Sequence, residues 1–213
     1  MDCQSSELEE YRHRFEDGRL ERSFYRNGKR EGEYSFWNVD GRLIVSSFYK
    51  DGWKDGERKT WYGTGQIYTY EFHKQGIQQE RKEWSRDGQL IEHWVYKDGE
   101  IKYKTWHDNG WPCMHESYKA EKLEGGRKEW YRSKELAVLE FYRNGCREGE
   151  RKSWWVSGEI RMHSYWKDGG PIDTQFNWRK KWIFIKIKRL IRARLHISDI
   201  DKFIISDMSR MIC

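Results

Sequence analysis

The sequence predicts an all-β repeat array, in which consecutive antiparallel β-hairpins form one long twisted sheet, with a C-terminal α-helical appendage. Three observations carry this reading. A unit of about 24 residues recurs, with starts at Phe24, Phe48, Phe72, Val95, Ser117, Phe141 and Tyr165 that lie 24, 24, 23, 22, 24 and 24 residues apart. One tryptophan column runs through six of these units as Trp37, Trp61, Trp84, Trp106, Trp130 and Trp154. Turn-forming dipeptides punctuate the chain about every dozen residues, which leaves no room for helices and is the spacing of short strands.

The composition suits such an array. Charged residues make up 36% of the 213 residues and the hydrophobic set only 36%, too polar for a globule around one central core. Yet aromatics reach 16%, whereas disordered chains are poor in them. A thin structure built of units that touch only their neighbours reconciles the two.

Residues 1–10 form an N-terminal segment. It is polar and acidic and lacks the basic start and apolar run of a signal peptide. No run of 18 apolar residues occurs anywhere, so nothing reads as a transmembrane helix. The four cysteines, at 3, 113, 146 and 213, have no metal-ligand or disulfide-framework spacing. Reduced thiols in a cytoplasmic compartment are expected, with the chain cytoplasmic or membrane-peripheral rather than secreted.

Residues 11–176 hold about seven repeat units. Each opens with an aromatic pair and a tight turn such as Asn27-Gly28, Asp51-Gly52, Asp98-Gly99, Asn144-Gly145 or Asp168-Gly169. Such turns need positive φ, which Gly, Asn and Asp tolerate. A second turn follows each tryptophan, at Asp40-Gly41, Thr64-Gly65, Asp87-Gly88, Asn109-Gly110 and Ser157-Gly158. Strand-length segments rich in aromatic and β-branched residues lie between. Roughly 14 strands at about 4.8 Å would span about 65 Å. The tryptophans and an aliphatic column (Leu43, Ile67, Leu90, Leu136, Ile160) are expected to stack on one face as the repeat core. Two units depart from the pattern, with Gln79-Glu80 in the third and Glu121 and Lys134 in the fifth where glycine is expected. Irregular turns and a bend between residues 76 and 126 are the expected consequence.

The run Phe141-Tyr142-Arg143-Asn144-Gly145, then Gly149, Trp154, Gly158 and Ile160, resembles the MORN repeat, and within it the variant of the antitoxin-component family. The resemblance covers about residues 11 to 178. Charged, Trp-rich arrays of this kind also resemble the expanded MORN families of large amoeba-infecting DNA viruses. The resemblance implies a hairpin array and, for partners, proteins, virion components or membranes. Toxin neutralisation is implied by the family label alone.

Residues 177–213 form a basic tail. They hold ten Lys+Arg against three Asp, a net of +7, which leaves 31 basic and 32 acidic residues, a net of −1, in residues 1–176. Arg179, Lys180, Lys181, Lys186, Lys188, Arg189, Arg192 and Arg194 concentrate this charge. From Ser198, an N-cap, the apolar residues Ile200, Phe203, Ile204, Met208, Met211 and Ile212 follow helical spacing. A helix is therefore expected there, and a helical run with an optional extended start over 179–195. Two roles stand side by side. The tail caps the open edge of the sheet, or its basic residues bind an anionic lipid surface. Nucleic acid ranks below both, because the sheet itself is near neutral.

No catalytic constellation is present. The histidines at 13, 73, 93, 107, 115, 163 and 196 form no HExxH motif, and no GxSxG or phosphate-cradling glycine loop occurs. Acidic residues such as Glu57 and Glu150 sit in repeat columns, as solvated or ion-paired strand faces do. The expectation is a non-enzymatic chain with no cofactor, no metal and no small-molecule substrate. It would act as a protein-interaction scaffold, by self-association or with virion or host proteins, or as a membrane-associated adaptor through its tail.

Overall fold

The computed structural model describes residues 7–173. The chain divides into two units, residues 1–170 and 171–213. The first holds the repeats. The helix expected from Ser198, the run over 179–195 and the eight basic tail residues lie outside the described residues.

All eighteen strands belong to one antiparallel sheet in which the strands pair in chain order, with β2 facing both β3 and β4, β11 both β12 and β13, and β14 both β15 and β16. They are β1 (Glu9–Arg14), β2 (Leu20–Arg26), β3 (Lys29–Arg30), β4 (Gly32–Trp37), β5 (Leu43–Lys50) and β6 (Trp53–Trp61). The chain continues through β7 (Ile67–Lys74), β8 (Ile77–Trp84), β9 (Leu90–Lys97), β10 (Glu100–Trp106), β11 (Pro112–Lys119) and β12 (Lys122–Leu123). It ends with β13 (Gly125–Trp130), β14 (Leu136–Arg143), β15 (Cys146–Arg147), β16 (Gly149–Trp154), β17 (Ile160–Lys167) and β18 (Gly170–Asp173). The number exceeds fourteen largely because β3, β12 and β15 are two-residue lead-ins, each cut from the following strand by a one-residue break.

The turns follow from local chemistry. At the first hairpin of every unit both central residues have positive φ, as at Asn27 (51°) with Gly28 (72°) and Asp51 (53°) with Gly52 (87°). That geometry matches the twist of paired strands. The second turn is equally regular. The Tyr62 N–H donates to the Gln66 carbonyl and the Gly65 N–H to the Tyr62 carbonyl, both at 2.9 Å, and the same pair of bonds recurs after every tryptophan of the column.

The irregular turns expected between 76 and 126 do not form. Ala120 (47°) and Glu121 (62°) adopt the left-handed geometry of their counterparts, and so, later, does Lys134 (87°), which makes the same turn bonds. The departures are absorbed by strand length instead. The register joins Ser46 to Lys59, Tyr70 to Lys82, His93 to Lys104 and His115 to Lys128. Those hairpins span 13, 12, 11 and 13 residues by their numbers. The β9–β10 ladder is the shortest because it runs from Lys97–Glu100 to Glu92–Thr105 without a bulge.

Each column tryptophan ends its strand at a register shift and pairs with Leu43, Ile67, Leu90, Pro112, Leu136 or Ile160. All six are half-buried. They form a column, but not an enclosed core. Among the described residues no hydrophobic side chain is fully buried; the buried ones are Ser23, Ser35, Ser47, Thr69, His73, Glu116, Glu140 and Ser153. The reason is geometric. Among the described residues the strands form a single layer, in which side chains are covered by their neighbours in the same face, so small residues and those under long arginine stems are the ones removed from water.

Candidate interaction surface

Residues directly opposite in an antiparallel ladder share a face, and neighbours along a strand do not. The register therefore sorts the side chains into two faces with different chemistry.

On one face Arg58, Glu71, Arg81, Trp94, Tyr103 and Glu116 stand in register across β6 to β11, with Arg127 and Glu140 paired further along on β13 and β14. These charges satisfy one another. Arg58 meets Glu71 at 3.1 Å, and Arg81 pairs with both Glu83 and Glu92. The densest knot surrounds Glu140, whose side chain is 2% exposed. Its carboxylate accepts from Arg127 at 2.8 Å, Arg151 at 3.1 Å, Arg147 at 3.2 Å and the Tyr142 hydroxyl at 2.9 Å. Burial alone would push the Glu140 carboxyl up, but the Tyr142 hydroxyl and the guanidinium groups outweigh it and hold it below the usual carboxylate range. Tyr118, buried beside Glu116, is pushed up to about 12. The knot's charges are already bonded to one another, so this part of the face is structural.

The opposite face is open. One row crosses ten ladders without a break: Ser46, Lys59, Tyr70, Lys82, His93, Lys104, His115, Lys128, Leu139, Lys152, His163. A lysine thus alternates with an aromatic, histidine or leucine side chain from strand to strand. The adjoining row carries Glu57, Phe72, Glu80, Val95, Lys102 and Ser117 on β6 to β11, then Gly126 with Phe141 and Glu150 with Tyr165. Its aromatics lie open to solvent, Phe48 at 49% and Phe72 and Phe141 at 39%. The aromatic pair that opens each unit is therefore split. Its first member joins this open face, while the second, such as Tyr49 or Tyr142, turns to the other.

The tryptophan column borders the open face. Arg22 lies over Trp37 at 5.7 Å, and the His115 ring meets Trp130 edge-on at 4.7 Å. The lysine column has a simple sequence signal that the turns and tryptophans overshadow, since Lys59, Lys82, Lys104, Lys128 and Lys152 each stand two residues before a column tryptophan. Among the described residues no three His, Cys, Asp or Glu converge as a metal-binding group would require. No helix among them is long and apolar enough to cross a membrane.

Residues 20–38, the strand–turn–strand from β2 through β4, match the family model described as a MORN repeat variant. The chain carries MORN repeats. The matched hairpin has the same left-handed turn and the same terminal tryptophan as the units that follow it, so its geometry recurs through the sheet. No curated protein matches the chain. MORN repeats commonly mediate protein or membrane interactions, and the open face is where this array offers unsaturated chemistry.

Proposed function

We propose that this MORN-repeat chain is a non-catalytic protein-interaction scaffold that engages its partner through the open face. The observation that carries the reading is the contrast between the faces. The arginine–glutamate knot around Glu140 is internally bonded, whereas the other face presents exposed Phe48, Phe72 and Phe141 beside a continuous lysine row. Exposed aromatic side chains such as these are the groups enriched in protein interfaces. The resemblance to the viral MORN families supports a virion component or a host protein as the partner. Affinity capture with the full chain and with Phe48→Ser/Phe72→Ser/Phe141→Ser tests this. The expected result is a specific partner retained by the first and lost by the second at unchanged fold. Capture unaffected by the triple substitution would sink the assignment of the face.

A second reading is a membrane-associated adaptor, supported by the net charge of +7 in residues 177–213. Each Lys or Arg near an anionic leaflet contributes about 1 kcal/mol. Vesicles containing phosphatidylserine should then sediment the full chain at low salt, release it at high salt, and fail to sediment a chain ending at Asn177.

A further inference from the structure

We propose that the lysines of β10 and β13 form a docking site for a short acidic polypeptide segment lying across the middle of the open face. This deepens the scaffold reading and rests on it.

The repeat itself shows what is unusual here. In three hairpins a carboxylate stands two residues before the column lysine and neutralises it, as Glu57 does Lys59 at 2.5 Å, Glu80 does Lys82 at 2.9 Å and Glu150 does Lys152 at 2.7 Å. In the two hairpins between, that position is Lys102 and Gly126. Lys102, Lys104 and Lys128 consequently have no ion pair among the described residues. Lys104 and Lys128 both pair with His115, so their backbones stand two strand spacings, about 10 Å, apart. A shallow groove lined by Lys102 and Lys104 has Val95 and His93 in its wall. The one carboxylate on its rim, Glu100, is held by Lys119 at 3.7 Å.

The limits of the patch select its occupant. On one side it is bounded by the paired Glu57 and Glu80, on the other by Glu150. A membrane plane or a nucleic-acid duplex would spread over these balanced flanks and meet carboxylates. A short extended peptide fits between them, since alternate residues of an extended chain share a face and recur about every 7 Å, within reach of the flexible stems of Lys104 and Lys128. Its apolar side chains would find Val95 and the exposed Phe141.

The test uses the full chain and a fluorescein-labelled ten-residue peptide of alternating Glu and Val, read by anisotropy. Two charge-matched variants are compared, Lys102→Gln/Lys104→Gln/Lys128→Gln and Lys59→Gln/Lys82→Gln/Lys152→Gln. The expected result is at least a tenfold loss of affinity in the first and less than twofold in the second, with unchanged circular dichroism in both. Equal losses, or no loss in either, would overturn the site. So would a first variant that keeps the peptide but loses phosphatidylserine vesicles or a dT20 oligonucleotide. The scaffold reading fails separately, through the phenylalanine variant, so a lysine variant that still captures the phenylalanine-dependent partner removes only the acidic-segment site.

Discussion

The Tyr131 hydroxyl donates to the Trp154 carbonyl at 2.8 Å, a bond that leaves one repeat and lands on the next. Tyr62 makes the equivalent bond to Trp84 at 2.8 Å, and His107 donates from Nε2 to the Trp130 carbonyl at 2.9 Å. Trp84, Trp130 and Trp154 are therefore each held by the carbonyl through the residue that opens the preceding turn. In an array whose units contact only neighbours, such links set how strongly one unit's folding is coupled to the next. Tyr131→Phe should lower stability by about 1 kcal/mol, the net contribution of one hydrogen bond. Urea unfolding followed by tryptophan fluorescence reads it. A midpoint unchanged from the parent would show that the bond couples nothing.

Glu140 should be the most sensitive charged position in the sheet. Three arginines and a tyrosine converge on a carboxylate that is 2% exposed. Glu140→Gln would leave the arginines facing a neutral amide, and breaking a buried pair in this way costs about 3–5 kcal/mol. Glu57→Gln is the control. Glu57 pairs with Lys59 at half-exposed positions, and an exposed pair contributes at most about 1 kcal/mol. Comparable losses from the two substitutions would contradict the division into a structural and an open face.

Stability should fall in two steps on acidification. Burial pulls the His73 imidazole below its ordinary value, with Lys54 and Arg58 adding to it against Glu71. His115 is lowered likewise by burial and by Lys104 and Lys128. A histidine with a depressed folded pKa contributes stability that is fully present above its unfolded value, about 6.5, and is lost as pH falls through the folded value. The first step therefore begins near pH 6.5. The second belongs to Glu140, and to Glu80, where hydrogen bonds from Lys82 and His93 outweigh burial. Their contribution is present above about pH 4.3 and is lost below it, as pH falls through their lowered folded values. Melting temperatures from pH 8 to pH 3 would show both. His73→Tyr/His115→Tyr, which installs the residue found at the matching positions Tyr49 and Tyr70, should remove the first step and leave the second.

The architecture was readable from the chain because turn chemistry is local. Asn27-Gly28 and Asp51-Gly52 dictate left-handed hairpin turns without help from the rest of the molecule, and the period follows from their spacing. What the spacing does not show is where a lost residue goes. The intervals of 23 and 22 residues are compatible with a distorted turn or with a shortened ladder, and only the bulge-free pairing of β9 with β10 decides for the ladder. The exposure of the tryptophan column is not legible in the chain, for a different reason. A column of large aromatics reads the same whether a second layer covers it or not, and no sequence feature says that none does. The two faces were hidden because both are charged. Arg58 and Lys59 are adjacent in the chain, yet one enters a bonded network and the other the open row, a distinction that needs the register.

Gly76 offers a test of how the units nest. Its φ is 79°, and a Cβ built there would come within 2.8 Å of the Trp53 ring, whereas at Gly28, with a φ of 72°, nothing lies within 4 Å. Both substitutions to alanine force a left-handed conformation on a residue with a side chain, at about 1–2 kcal/mol. Only Gly76→Ala must also displace Trp53, which follows the turn of the preceding hairpin. The Gly76 N–H donates to the Lys54 carbonyl at 2.8 Å, so the two turns are joined by backbone as well as by the ring. The turn therefore cannot simply slide away. Trp53 is 65% exposed and has room to swing outward, which limits the added cost to its lost packing. Gly76→Ala should then be more destabilising than Gly28→Ala by about 1 kcal/mol, within the range of a small overpacking. Its tryptophan emission should shift to the red as Trp53 enters water. Equal destabilisation without a spectral change would mean that the ring does not pack on the glycine, and that neighbouring repeats are joined there by the backbone bond alone.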